Sequence, residues 1–173
     1  DDDGSCQIEG CMDELALNYN PEANISIPNC GYYYLSEAEE CDLPLPYTGN
    51  TGSNMTVLFT NPFVSSISLD NPDDAYIVAL TDNGLIVGSV YFNDPDGGYG
   101  LLQYGQGSMA VWGDDSVTPE LDGAMPNETI SLQLVDGTSL YDLSTTVISF
   151  VSNGMSVQVE STYMTLNCES GSI

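Results

Sequence analysis

The feature that most constrains this chain is the complete absence of basic side chains. Its 173 residues contain no Lys, Arg or His against 26 Asp and Glu, so the formal net charge is −26. No salt bridge between side chains can form, and like charges repel across the surface. Apolar burial, hydrogen bonds and disulfides must therefore hold the fold. With 42% hydrophobic and 15% charged residues, the composition is typical of a globular protein.

The missing cations exclude whole classes of function. Nucleic-acid binding needs Lys or Arg to replace phosphate counterions, and attraction to anionic lipids needs the same charges. Without His or Lys no Ser-His, Cys-His or Ser-Lys pair can form, which leaves only a pair of carboxylates for catalysis. We therefore expect no nucleic-acid partner and no enzymatic activity. We expect no membrane insertion, since apolar runs such as 75–80 fall far short of the ~20 residues of a spanning helix.

Charge and cysteine content both indicate an extracellular protein. A chain without Lys or Arg resists proteases that cut after these residues; acidity acquired in a saline habitat, the alternative explanation, also places it outside. Without a CxxC pair or His, the five cysteines favour disulfides over zinc. Two bonds and one odd Cys allow 15 arrangements, five odd residues times three connectivities. We expect Cys11–Cys30 and Cys41–Cys168, with Cys6 free or bonded outside the chain.

The chain divides by pattern into three parts. Residues 1–40 are rich in cysteine and turns, with a short predicted helix at 13–19. Residues 41–53 contain two Pro and two Gly, which is typical of a connector. Residues 54–173 consist of short apolar segments between turns. Because no initiator Met or signal peptide is present, we expect a mature or cropped product.

The third part predicts an all-β fold, an antiparallel β-sandwich, because strands recur at intervals of about 8–12 residues with regular turn signals. The predicted strands are 55–60, 64–69, 75–81, 85–92, 101–104, 109–112, 129–135, 145–151 and 155–163.

Alternation and turns refine this prediction. In the strand 129–135 apolar and polar residues alternate, so we expect Ile130, Leu132 and Leu134 to face the core. In 155–163 we expect Met155, Val157 and Val159 to face inward. The Asn-Gly turns predict two hairpins, because Asn-Gly tolerates the positive φ of tight turns. These turns lie at 82–84 and 152–154.

The N-terminal part resembles a repeat of secreted surface proteins from Bacteroidetes bacteria. DDDGSC (1–6) and GCMDELALNYNPEAN (10–24) match the pattern GCTDxxAxNYNPxAxxDDGSC. Residues 1–6 would be the tail of one repeat and 10–30 the next. The match departs at 25–29, where the acidic DDGS is replaced. If the family binds a cation there, this copy lacks the ligands.

Residues 85–143 resemble an immunoglobulin-like module of large secreted proteins from the same bacteria. The matching segments are IVGSVYF, SMAVWGDDSVTPELDG and ETISLQLVDGTSLYDL. They correspond to a G-x-x-VG strand, a (V/I)(W/Y)GDD turn followed by DG, and a GExxSFxL strand, except that Asn127 replaces a Gly. The resemblance implies an immunoglobulin-like sandwich for surface architecture or interaction, without catalytic residues.

Acidic turns are candidate calcium sites, because Ca²⁺ prefers several carboxylate and carbonyl oxygens. One loop offers Asp114, Asp115 and Asp122, and another offers Asp94 and Asp96. None matches the EF-hand pattern, and Asp, Asn and Gly are also ordinary turn residues. Calcium is the one candidate cofactor.

Four residues lie in short glycosylation motifs. Asn24, Asn54 and Asn127 begin N-x-S/T sequons, and Ser116 lies in a D-S-V sequence resembling the O-glycosylation motif of Bacteroidetes. The single Trp, Trp112, could stack on sugars, but we expect it to pack in the core.

Two functions fit these observations. The first is a structural subunit of an extracellular fibre or pilus, a homopolymer assembled by strand addition, with residues 1–40 as the donor region. The alternative is a calcium- or glycan-binding adhesin module of a larger surface protein. A secreted glycosidase is a third possibility that needs two carboxylates facing each other in a cleft.

Overall fold

The structure, a computed structural model, describes residues 8–12, 14, 19–26, 41–115 and 117–170. The chain forms two compact units, Asp1–Glu39 and Glu40–Ile173. The predicted connector 41–53 is therefore part of the second unit.

In the first unit two short strands, β1 (Glu9–Gly10) and β2 (Ile25–Ser26), pair in parallel. Cys11 is buried and disulfide-bonded, while its predicted partner Cys30 lies outside the described residues. Most of the predicted helix 13–19 lies outside them as well.

The described part of the second unit contains eight strands and two short helices. The strands are β3 (Asn54–Phe59), β4 (Tyr76–Leu80), β5 (Ile86–Tyr91), β6 (Gly107–Trp112), β7 (Thr129–Asp136), β8 (Ser139–Ser149), β9 (Met155–Gln158) and β10 (Met164–Glu169). The helices are α1 (Asn61–Ser65) and α2 (Leu101–Tyr104).

The strands form two sheets, and the predicted all-β sandwich is confirmed. One sheet has five strands in the order β10-β8-β7-β4-β5, and the other has three in the order β6-β3-β9. Neighbouring strands are antiparallel, except that β9 runs parallel to β3. The core lies between the sheets. It includes Val57 and Phe59 of β3. It also includes Ile130, Leu132 and Leu134 of β7, and these three face inward as predicted.

Two predicted strands are wrong, since 64–69 and 101–104 contribute to helices. Helix α1 has a Pro at its start, where the fixed φ of proline suits the first helical turn. Helix α2 ends at Gly105 with φ +64, the left-handed conformation typical of a helix C-terminus. Apolar runs of four to six residues do not distinguish a strand from a buried helical turn.

The two predicted hairpins have different outcomes. The turn at 82–84 joins the antiparallel strands β4 and β5, with Gly84 at φ +78. The turn at 152–154 also forms, with Asn153 at φ +57. It is not a hairpin, however, because it carries the chain from β8 of the larger sheet to β9 of the smaller one.

Strand β9 faces the opposite way from the prediction. Met155, Val157 and Val159 are 65%, 40% and 53% exposed, whereas Gln158 is only 2% exposed. Gln158 Oε1 accepts a hydrogen bond from the backbone N–H of Thr146 at 3.0 Å, and Nε2 donates to the Thr146 carbonyl at 3.5 Å. The side-chain amide thus pairs with β8 as a backbone peptide group would.

Gln158 bonds β8 at the point where β8 stops pairing with β7. The register with β7 jumps from Ile130↔Ile148 to Leu132↔Leu143, so residues 144–147 have no partner on β7. Such a bulge leaves backbone groups unpaired. The Gln158 amide hydrogen-bonds the N–H and C=O of Thr146. The buried Thr162 hydroxyl donates to the Ser144 carbonyl at 2.7 Å.

Residues 41–47, hereafter the covering segment, cross the outer face of the five-stranded sheet. The predicted Cys41–Cys168 disulfide joins the start of this segment to β10. The Tyr76 hydroxyl donates to the Pro44 carbonyl at 2.8 Å, and Tyr47 N donates to Ser89 Oγ at 2.9 Å. An apolar cluster fills the space beneath it, formed by Cys41, Leu43, Tyr76, Val135, Leu140 and Cys168.

Candidate functional site

The outer face of the three-stranded sheet carries no charge. Strands β3, β6 and β9 read NMTVLF, GSMAVW and MSVQ, without a single Asp or Glu. Strand alternation gives this outer surface, hereafter the uncharged face, eight side chains. They are Asn54, Thr56, Leu58, Ser108, Ala110, Trp112, Met155 and Val157.

The pairing register fixes the arrangement of the uncharged face. One row runs Ala110–Thr56–Met155 and the next runs Ser108–Leu58–Val157. Trp112 lies opposite Asn54 and is half-buried. Its expected place in the core is wrong, because Met109 and Val111 of the same strand face inward instead.

An open cleft of about 400 Å³ lies at one end of this face. Its walls include Leu58, Ser108 and Val157, and also Gln106 and Tyr104. Among the residues that the structure describes, no acidic side chain lines the cleft. Its walls thus combine apolar and aromatic surface with neutral hydrogen-bonding groups.

An aromatic pair borders the cleft. Tyr104 stacks on Tyr99 with ring centroids 6.2 Å apart and an interplanar angle of 29°. Both rings are largely exposed. Exposed rings next to neutral hydrogen-bonding groups are suited to contact with an apolar or sugar surface.

The acidic residues of the first predicted calcium loop, Asp114, Asp115 and Asp122, accept hydrogen bonds from within that loop. Asp114 Oδ1 accepts from the Asp122 N–H at 3.1 Å, and Asp115 Oδ1 accepts from the Val117 N–H at 2.9 Å. Asp122 Oδ2 accepts from the Thr118 hydroxyl at 2.8 Å, and its other oxygen is buried with no hydrogen-bond partner among the described residues.

The second predicted calcium loop is a local turn. Asp94 Oδ1 accepts from the Asp96 N–H at 2.9 Å, which is an Asx turn. Across the described residues, no group of three or more His, Cys, Asp or Glu is arranged to hold a metal ion.

A carboxylate that the sequence did not single out has a structural role. Asp136 is 4% exposed and accepts from the N–H groups of Asp70 and Asn71 at 2.7 and 2.8 Å. These charge-assisted bonds fix the turn that precedes β4. The sequence signal for this role is the position of Asp136, an acid directly after the alternating segment 129–135.

The Tyr47 side chain lies near the acidic loop. Burial and, second, the negative charge of Asp122 raise the pKa of Tyr47 above its ordinary value. Burial and, second, Tyr91 raise the pKa of Tyr76 in the same direction. Tyr76 holds the covering segment through its hydroxyl, whereas Tyr47 holds it through its backbone N–H.

The predicted glycosylation residues lie in different surroundings. Asn127 is exposed in a turn at φ +66. Asn54 is half-buried on the uncharged face, and Asn24 is exposed with its side chain accepting from the Ile8 N–H at 2.9 Å. Ser116 lies outside the described residues.

No helix in the described part of the chain is long and apolar enough to cross a membrane. No family model matches the chain, and comparison with curated proteins and with solved structures finds no match.

Proposed function

We propose that this protein is a structural subunit of an extracellular bacterial fibre, assembled from identical copies by strand addition. The observation that supports this most is the edge of β9, which has no further strand beside it in the described part of the chain. Natural proteins blunt such edges by keeping the edge strand short or by placing Lys, Pro or bulges on it, and β9 has four residues. The β9 sequence MSVQ contains neither Lys nor Pro, and two of its apolar side chains are exposed.

The hydrogen-bond pattern shows which groups the edge offers. Thr56 N donates to Gly154 O at 3.0 Å, and Thr60 N donates to Gln158 O at 3.1 Å. In a parallel ladder alternate residues face the partner strand. The backbone groups of Met155 and Val157 therefore point away from β3, where an added strand would pair with them.

The donor in this proposal lies in residues 1–40. Cys41, which follows these residues in the chain, is fixed to β10 by its disulfide. The extracellular setting is supported by the disulfide and by the absence of Lys and Arg.

Negative-stain electron microscopy of the full chain, with and without a calcium chelator, tests the proposal. We expect filaments that persist after chelation. Filaments that dissolve would add cations to the junction, since each copy carries a charge of −26. Isolated particles under both conditions would show that the proposal is wrong.

A backbone variant sharpens this test. Val157→Pro removes an N–H that faces the open edge while leaving the β3 ladder intact, a position where proline is tolerated. We expect filaments to be lost. Val157→Thr keeps the N–H and serves as the matched control, for which filaments should persist.

A second candidate function is a glycan-binding module, favoured by the Tyr99–Tyr104 pair beside the uncharged cleft. Titration calorimetry with neutral oligosaccharides would test it. Binding that Tyr104→Ala abolishes and Tyr163→Ala leaves unchanged would support this function. Tyr163 is a suitable control because it is also largely exposed and is not among the residues that line the cleft.

A further inference from the structure

We propose that the uncharged face is the surface through which two copies of this chain contact each other. The inference rests on the proposed self-assembly, and adds to it a side-chain contact distinct from strand addition at the β9 edge. Three features support it: the distribution of charge, the apolar content of the face, and the coverage of the opposite face.

Charge decides where copies can approach. Two carboxylates 4 Å apart repel by about 1 kcal/mol in bulk water and about 4 kcal/mol near a protein surface. A chain with 26 acids and no base cannot offset this with cations of its own. The three strands of the uncharged face contain no acid, so two such faces meet without this cost.

The other sheet offers a poorer surface. Its outer side is already crossed by the covering segment, which carries Asp42. Asp142 also lies on that side, where it accepts from Gln133 at 2.8 Å and from Asn167 at 3.0 Å. A second copy would have to displace the segment and desolvate carboxylates there.

The uncharged face has apolar surface to bury. Met155 is 65% exposed and Val157 is 40% exposed. Leu58 and Trp112 are half-buried beside them, and Ala110 is exposed. Methionine adapts well to an opposing surface, and the polar members Thr56 and Ser108 can hydrogen-bond without charge.

Size predicts the strength of the contact. Three strands about 4.8 Å apart and five residues of about 3.4 Å each give a patch of roughly 14 by 17 Å. This is small beside the ~800 Å² per partner of a stable complex. One contact is therefore weak, and repetition along a fibre makes it effective.

Salt should strengthen the contact. The remaining acids of two copies repel at long range, and the screening length falls from about 30 Å at 0.01 M salt to about 3 Å at 1 M. Sedimentation equilibrium of the full chain should therefore show tighter association at 1 M than at 0.01 M NaCl.

Matched serine variants locate the contact. Ser108→Asp places a carboxylate on the uncharged face, whereas Ser149→Asp places one on an exposed position of β8. Both add the same charge. We expect Ser108→Asp to weaken association at least tenfold and Ser149→Asp to leave it within twofold. Ala110→Asp, a second exposed site on the face, should repeat the Ser108→Asp result if the first variant folds poorly by circular dichroism.

The outcomes separate this inference from the proposed function. Equal association of both serine variants would overturn the inference, while filaments that Val157→Pro abolishes and the isosteric Val157→Thr retains would still support the fibre. A wild-type chain that stays monomeric at every salt and protein concentration overturns both. A monomer that binds neutral oligosaccharide in the cleft would instead assign the face to glycan.

Discussion

At the scale of single residues, Gln158 takes a role usually reserved for the backbone. Its amide faces the core because the N–H and C=O of Thr146, on the bulged part of β8, need partners at that point. A backbone group that lacks a partner at such a partly buried position costs up to about 1–3 kcal/mol. Pairing these backbone groups stabilises the fold more than burying Met155 and Val157 would. Strand β9 therefore turns Gln158 inward and leaves the two apolar side chains exposed.

Replacing Gln158 tests this account. Gln158→Leu should lower the free energy of unfolding by about 1–3 kcal/mol, measured by urea denaturation. Gln103→Leu, an exposed control on α2, should change it by less than about 0.5 kcal/mol. Equal effects of the two variants would contradict the structural role of the amide.

At the scale of elements, β5 and β6 close one side of the sandwich. The two strands belong to different sheets and approach at Gly88, where an added Cβ would overlap the Ala110 carbonyl oxygen. This close approach requires glycine although the residue lies within a strand. The neighbouring Val87 is fully buried, so β5 cannot shift outward freely.

Gly88→Ala should therefore destabilise the domain by about 1–3 kcal/mol through overpacking, again measured in urea. Gly84→Ala serves as a contrast, because its Cβ would meet nothing within 4 Å. It tests only the positive φ, which costs a non-glycine residue about 1–2 kcal/mol. Relaxing β6 by Ala110→Gly should not rescue Gly88→Ala, since the overlapping atom is backbone.

The covering segment adds a pH dependence at the same scale. Tyr47 and Tyr76 have pKa values raised in the folded state. Their contribution to stability is complete below the unfolded tyrosine pKa of about 10 and is lost as pH rises through the folded values.

We expect unfolding in urea to require less denaturant above pH ~10. Tyr76→Phe removes one ionisable phenol together with its bond to Pro44. This variant should be less stable than wild type at pH 7 and should lose less stability on going to alkaline pH. A fall identical to that of wild type would exclude Tyr76 as a source.

At the scale of the whole molecule, sequence predicts the class of fold and the closing disulfide better than the orientation of individual strands. In β7 the apolar side chains Ile130, Leu132 and Leu134 alternate with polar ones, so the pattern alone shows which face is buried. In β9 the period is right but the face is wrong, since the deciding partner, Thr146, lies on another strand. Strand β10 has no predicted counterpart.

The candidate site is harder to predict from the sequence than the class of fold. Three acid-free segments are visible in the chain, but only the pairing of β6, β3 and β9 places them on one surface. Tyr104 belongs to the apolar run 101–104, for which the sequence predicts a strand, and Tyr99 lies just before it. Their position beside the cleft follows from α2, a helical turn too short to recognise from its pattern.

The disulfide between Cys41 and Cys168 also determines how the domain bears mechanical load. The bond spans 127 residues of chain, and every strand from β3 to β9 lies inside that loop. Tension applied through residue 40 and residue 170 would pass across the sulfur atoms and bypass the hydrogen-bonded ladders. In single-molecule pulling, the oxidised domain should show no extension from this loop. The Cys41→Ser/Cys168→Ser variant should release roughly 430 Å of contour length, so the covalent bond makes the sandwich an inextensible link.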